Sequence, residues 1–423
     1  MVRPGSRGGC GGLALSARVS DSGPATLIGS ASDPAAKARL PSLHGACRLL
    51  LVLGAGSIPI SIVLAQTFLY LGLVLWLAGV VARGRWSVFR QPLVLGAALF
   101  FVVCALSGLT GLHGAHAASK LYRLAFLLLI PAVPDLFREA PRWGYYLLGA
   151  FVFGTVLLSI YDMVRVPHQV ATLHAKDMAH TGNMRDPQFY MVATITLAVG
   201  FLSAKRLEHR VLCIAPIVFC LIGLFLHSKM GSVLGLGCAL LAMVFVFRRF
   251  AILAALAVVV GGVLLAHAPT RHRVIHKVQN EFDPGYGARG TLWTVVAPGF
   301  IKAHPFGAGY KSTEYADLVK FKGPHHMEVG LEHLHNNLLQ MQAELGFLGP
   351  LVWLPWMAAA FWVMWRGRAD LVGRVVLLAF LALFMNGMME YNFGDSEPFM
   401  LFCLLMGLAL LPCSDEQGLS IQT

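Results

Sequence analysis

Apolar stretches of roughly 16–22 residues follow one another along most of the chain, each bounded by a short polar link, and a helix needs about that length to cross a bilayer. They lie at 47–64, 66–82, 92–111, 120–136, 144–164, 188–204, 211–226, 230–247, 250–267, 347–365, 371–389 and 397–412. None alternates as a membrane-barrel strand does, so the pattern predicts helices, whose backbone groups are satisfied internally. The first two stretches meet at Ala65–Gln66 and read as two spans or as one kinked pair, which makes about eleven or twelve spans in all. The expected fold is an all-α integral membrane protein. Residues 1–46 form a Gly-, Ser- and Arg-rich tail expected to be disordered, and 47–267 hold the first nine spans. A long polar loop, 268–346, carries short helices; spans follow at 347–412 and a short tail at 413–423.

Composition agrees: 57% of residues are apolar and only 13% charged, about half the charge of a soluble domain. The net charge of +12 does not imply nucleic acid, because membrane proteins concentrate Lys and Arg in cytoplasmic loops. One set of alternate links carries Arg83, Arg85 and Arg90, then Arg138 and Arg142, Lys205, Arg206 and Arg210, Arg248 and Arg249, and Arg366 and Arg368. That set and both termini are assigned to the cytoplasm, which turns the long loop outward. The eight cysteines are scattered without metal-ligand spacing and read as small apolar residues.

The outer loop has its own pattern. In Arg289-Gly-Thr-Leu-Trp293, Leu292, Val295, Val296 and Phe300 recur at helical spacing, predicting a surface helix bent at Pro298, with Trp293 at the headgroup level. Further on, Leu334, Leu338, Met341 and Leu345 form the buried side of a second short helix within His333–Gly349. His335, at its start, is the candidate general base, since imidazole titrates near neutral pH. Glu344 falls on the opposite helix face and is given a structural role, while Glu332 is placed to orient the ring. His325, His326 and His333 fit no zinc spacing and are read as solvated, so no metal site is expected.

Cations gather at the same side. Lys120 and Arg123 stand one turn apart, Arg185 precedes Asp186-Pro187 at a helix start, and Lys229 lies at the outer mouth of the eighth span. Each alone reads as a snorkelling side chain. Together with Arg289 they predict an anion site, and diphosphate is an anion that Arg and Lys clamp without a metal. Ionisable residues avoid the middle of the spans and no inverted repeat stands out, which argues against a transporter of lipid-linked glycans.

His335-Asn336-Asn337-Leu338, continuing to Ala343-Glu344-Leu345-Gly346 and Leu348-Gly349, resembles the histidine block of the O-antigen ligase and polymerase superfamily of bacterial inner membranes. Arg289 with Trp293, and Pro305-Phe306-Gly307 with Gly309, resemble the stretch before that block; in architecture the likeness runs over 47–412. The family commonly has Ser-Arg-Gly where this chain has Ser228-Lys229-Met230-Gly231, which keeps the charge but loses a bidentate fork. The resemblance implies a polyprenyl-diphosphate-dependent glycosyltransferase without cofactor. It is most like the ligase, which moves O-antigen from undecaprenyl diphosphate to the lipid A core at the periplasmic face of the inner membrane. Polymerase and protein O-oligosaccharyltransferase are its alternatives. His335 and Arg289 would then be catalytic, and Lys120, Arg123, Arg185 and Lys229 would bind substrate.

Overall fold

The computed structural model describes residues 34–172, 185–227, 229–249, 288–314 and 333–411, with residues 275 and 279 and the pairs 321–322 and 328–329. The chain divides into two units, Met1–Pro41 and Ser42–Thr423. Of the first, only a helical start at Pro34 is described; the second contains everything below. Among the described residues the architecture is helical apart from a two-residue ladder of β1 (Phe321–Lys322) with β2 (Glu328–Val329).

α1 (Pro34–Ser57) begins well before the expected boundary at residue 46, so part of the supposed disordered tail is helix. α2 (Ile62–Arg83) is separate from it, because Pro59 breaks the chain and the Ser61 side chain caps the new start. Leu43 beside Gly79 and Leu51 beside Gly72 make the two an antiparallel hairpin. α3 (Pro92–Thr110) and the short α4 (Gly114–Lys120) follow.

The stretch expected as one span at 120–136 is instead a 3₁₀ run, Leu121–Leu128, leading into α5 (Leu129–Phe137). Pro131 and Pro134 each remove an intrahelical donor there. The tighter 3₁₀ winding, with its larger rise per residue, stretches the segment to about 30 Å, against about 26 Å for a continuous α-helix. The middle of the bundle is α6 (Arg142–Thr172), α7 (Asp186–Ser203), α8 (Leu207–His227) and α9 (Met230–Phe247). The expected span 250–267 lies outside the described residues.

After the outer loop come α13 (Leu348–Gly367), α14 (Leu371–Asn386) and α15 (Ser396–Ala409). Six helices among the described residues are long and apolar enough to cross a membrane: α2, α3, the Arg142–Arg165 part of α6, α8, α9 and α13. Leu43–Ser57, α14 and α15 are shorter apolar helices. These last two occupy the centre, where α14 packs on α7 and α9, and α15 on α5. Burial on all sides explains their uniformly apolar sequences, since neither has a lipid-facing and a protein-facing side.

Three outer-loop elements sit on this bundle: α10 (Ala288–Thr291), α11 (Ala297–Ala303) and α12 (Asn337–Leu345). Between the first two, Leu292–Val296 forms a π-turn directly before Pro298, which has no N–H to donate. The wider turn rephases the expected apolar face: Leu292 is buried whereas Val295 is exposed. α12 buries Met341 and Leu345 as the spacing predicts, Leu334 is buried just before the helix, and Leu338 of the expected set is only half-buried.

Candidate active site

The α14–α15 link, Gly387–Asp395, and the residues around His335 are stitched together by backbone and amide groups. Asn336 caps α12 by accepting from the Leu339 N–H at 3.0 Å, and its Nδ2 donates to the Met388 carbonyl at 2.9 Å. The Asn337 N–H donates to the Gly387 carbonyl at 2.7 Å. His335, just before this clamp, has φ 48°, a left-handed conformation that a side chain other than Gly adopts at a cost of about 1–3 kcal/mol. The strain aims its imidazole at the link. His335 Nδ1 lies 2.9 Å from Glu390 Oε2 and Arg289 donates to Glu390 Oε1 at 2.5 Å. A carboxylate can only accept, so Nδ1 carries a proton, and the neutral form of the ring has its lone pair on Nε2.

Charge around this chain is unevenly compensated. Burial raises the Glu390 carboxyl, but the His335 hydrogen bond, Arg289 and the imidazole charges outweigh it and hold the group below the ordinary glutamate value. Lys229 is the N-cap of α9, and burial pushes its ammonium down; Glu390 opposes that shift and Arg289 adds to it. His333 packs edge-on against His335, ring centroids 4.1 Å apart. Burial, then the His335 charge, lower it to about 3, so it stays neutral. That corrects the expectation of a solvated loop histidine.

A second knot adjoins the first. Lys311, fully buried and also left-handed at φ 59°, donates to Glu314 at 2.6 Å and to the Gly394 carbonyl at 2.9 Å, and lies over the Tyr391 ring. Arg123 donates to the same carbonyl at 3.2 Å. Arg185 pairs with Glu397 in the first turn of α15. Lys120 ends α4 and its side chain makes no hydrogen bond or ion pair among the described residues. The structure thus brings Arg289, Lys229 and His335 together around Glu390, sets Arg123 on the flanking α14–α15 link and Arg185 on the first turn of α15, and gives Lys120 no contact with either group among the described residues.

Glu344 faces away from His335, accepting from Thr313, Gln340 and Tyr391 at 2.8, 2.7 and 3.1 Å. Trp293, expected in the headgroups, donates to the Leu334 carbonyl at 2.9 Å and ties the π-turn to the histidine segment. Gly307 and Gly346 permit the close crossing of two segments of the chain: a Cβ on Gly307 would collide with the Glu344 carbonyl oxygen. Glu332, His325 and His326 lie outside the described residues.

Residues 215–354 match the family model described as O-antigen ligase. The match, over about a third of the chain, supports membership of the O-antigen ligase and polymerase superfamily. No curated protein matches the chain. The family's enzymes are glycosyltransferase-like, and the six apolar helices agree with a multi-pass membrane protein. The matched region holds Lys229, Arg289 and His335, whereas Glu390, Arg123 and Arg185 come from outside it.

Glu390 and Lys311 are residues of this candidate site that the sequence pattern did not single out. Glu390 stands one residue beyond the predicted span 371–389, in a short polar break at the outer side. An acid at that side, facing a surplus of bases, was the available signal. For Lys311 the signal was weaker: one Lys in a Gly-rich turn. A further group, Asp162, Asp186 and His227, sets ligand atoms within 4.8 Å of one another. Arg165 already bridges both carboxylates, and His227 and Tyr190 meet Asp162 Oδ2 at 2.7 and 2.6 Å, so its cation is a guanidinium.

Proposed function

We propose that this protein transfers O-antigen from undecaprenyl diphosphate to a sugar hydroxyl of the lipid A core, at the periplasmic face of the inner membrane. One observation carries the reading: Arg289, Glu390 and His335 form a hydrogen-bonded chain, with Lys229 in the same electrostatic field. Lys229 and Arg289 are two cations set close together, and a diphosphate relieves their mutual repulsion, which favours the dianion over a neutral ligand. Arg123 and Arg185 extend the positive field along the α14–α15 link, and Lys120 lies at its margin.

In this reaction His335 Nε2 takes the proton of the acceptor hydroxyl as its oxygen attacks the donor's anomeric carbon. The anomeric C–O bond to diphosphate breaks on the opposite side, so the configuration inverts. Glu390 holds the ring in the required tautomer and stabilises the imidazolium that forms. Charge developing on the departing diphosphate is met by Arg289 and Lys229, preorganised and largely shielded from water. Neither nucleotide nor metal enters this scheme. Apolar faces of the outer helices accommodate the polyprenyl tail and the acyl chains.

The test is reconstitution. Purified protein in lipid nanodiscs is given lipid-linked O-antigen with lipid A–core, with chelator and without nucleotide. Covalent transfer to the core supports the ligase. Lengthening of the glycan on its carrier would instead mark a polymerase, transfer to a pilin-like protein an oligosaccharyltransferase, and movement of the lipid without bond formation a transporter.

A further inference from the structure

The three residues before the α12 cap hold two imidazoles side by side. Leu334 is buried, its N–H donates to Gln340 Oε1 at 2.8 Å, and its carbonyl accepts from Trp293 Nε1 at 2.9 Å. With that residue fixed at both backbone groups, the rings flanking it come out together, and His333 meets His335 edge to face. The scheme above uses only the second of them.

The His333 ring is half-buried. Its Nδ1 is buried without a partner, whereas Nε2, also without a hydrogen bond among the described residues, lies at the accessible edge of the ring. A neutral imidazole carries one N–H and one lone pair. Buried N–H groups without an acceptor are rarer in folded proteins than unpaired acceptors, so the proton belongs on Nε2. His333 thus turns an uncharged donor outward. Burial and the His335 charge keep the ring neutral, so it does not compete for the proton that His335 takes.

Position separates this donor from the diphosphate contacts. After His335, the charges acting on His333 are those of Glu390, Lys311 and Glu314, and its other ring neighbour is Tyr391, centroids 6.0 Å apart. Lys229, by contrast, feels Glu390 and Arg289. His333 therefore stands on the Lys311 and Tyr391 flank of His335. In a displacement with inversion, the attacking oxygen and the departing diphosphate occupy opposite sides of the anomeric carbon. The flank away from Arg289 and Lys229 then belongs to the acceptor. A single uncharged donor also suits a hydroxyl oxygen better than a phosphate, which charged donors hold more strongly.

We propose that His333 is an acceptor-binding residue: its Nε2–H donates to a sugar oxygen next to the hydroxyl that His335 deprotonates. The assignment rests on the glycosyl-transfer reading and deepens it, because a second contact of this kind selects a sugar over an isolated alcohol such as a serine side chain.

Wild type, His333→Phe and His333→Gln are compared in nanodiscs with lipid-linked glycan and lipid A–core, each substrate varied in turn. Phe keeps a ring against His335 and removes the donor; Gln removes the ring and places an N–H near the Nε2 position. The expected acceptor KM is about tenfold higher in His333→Phe and within about threefold of wild type in His333→Gln, with the donor KM within about twofold in both. Melting curves establish that each variant folds, and His333→Leu, which also lacks a donor, replaces a His333→Phe that does not. With wild type active, three results would overturn the contact alone: an unchanged acceptor KM in His333→Phe, a rise in donor KM in its place, or a His333→Gln as impaired as His333→Phe. Transfer confined to protein hydroxyls would overturn it as well. If wild type extends the lipid-linked glycan instead of the core, the same acceptor KM is read on that glycan. A wild type that forms no glycosidic bond overturns the transfer reading and this contact with it.

Discussion

Glu390 carries two jobs at once: it neutralises Arg289 and fixes the proton on His335 Nδ1. Its carboxyl is held below the ordinary value of 4.5, so its ion pairs are complete above that pH and are lost as pH falls through the lowered value. Removing the carboxylate breaks the ion pair of a buried guanidinium, at a cost of about 3 kcal/mol. Wild type and Glu390→Gln should thus differ by a constant amount in melting temperature between about pH 6 and 8, and converge in acid. A gap that widens on acidification would contradict the ion-pair assignment. Lys229 makes a different contribution. Lys229→Ala is expected to raise the donor KM by about tenfold or more through loss of one charged contact, while Lys229→Arg keeps it near wild type. Steady-state kinetics over a donor range separates the two.

At the level of elements, the proposed catalysis depends on how one short helix start is fastened to one interhelical link. Asn336 holds both, so Asn336→Ala should cost about 1 kcal/mol for the lost cap and, in addition, slow turnover, because the Met388 contact that supports His335 goes with it. Chemical denaturation gives the first number and single-turnover kinetics the second. An effect on stability alone would make Asn336 a cap and nothing more. The same elements show what could be read in advance. Spans were legible because burial in lipid or in protein both demand apolar runs, and His335 and Arg289 because polar residues are rare enough in such a chain to be examined singly. The 3₁₀ stretch before α5 was not legible, since an apolar run constrains length and leaves winding to the two prolines. Nor was the exposure of Val295: the expected face assumed a regular 3.6-residue period, and the π-turn shifts it. Glu390 escaped because its partners are distant in sequence, and hydropathy carries no information about pairing.

For the whole molecule, the arrangement predicts sidedness. Phe306 is 79% exposed near the His335 end and Trp86 is 54% exposed at the opposite end. In cells, a membrane-impermeant maleimide should label Phe306→Cys from outside and reach Trp86→Cys only after the inner membrane is opened. The described native cysteines are buried or half-buried, and replacing Cys10 and Cys413 by Ser removes the remaining thiols from the background. Reversal of the pattern would put the histidine cluster on the cytoplasmic side, away from a lipid-linked glycan presented to the periplasm.

The most direct measurement is the single-turnover rate of glycan transfer from lipid-linked donor to lipid A–core by wild type, His335→Ala, Arg289→Ala and Glu390→Gln, each shown to be folded by its melting curve. Loss of the base, of the diphosphate contact or of the residue that orients the base should each slow bond formation by about 100-fold or more. If folded His335→Ala and Arg289→Ala both transfer glycan as fast as wild type does, the cluster around Glu390 is not where the glycosidic bond forms.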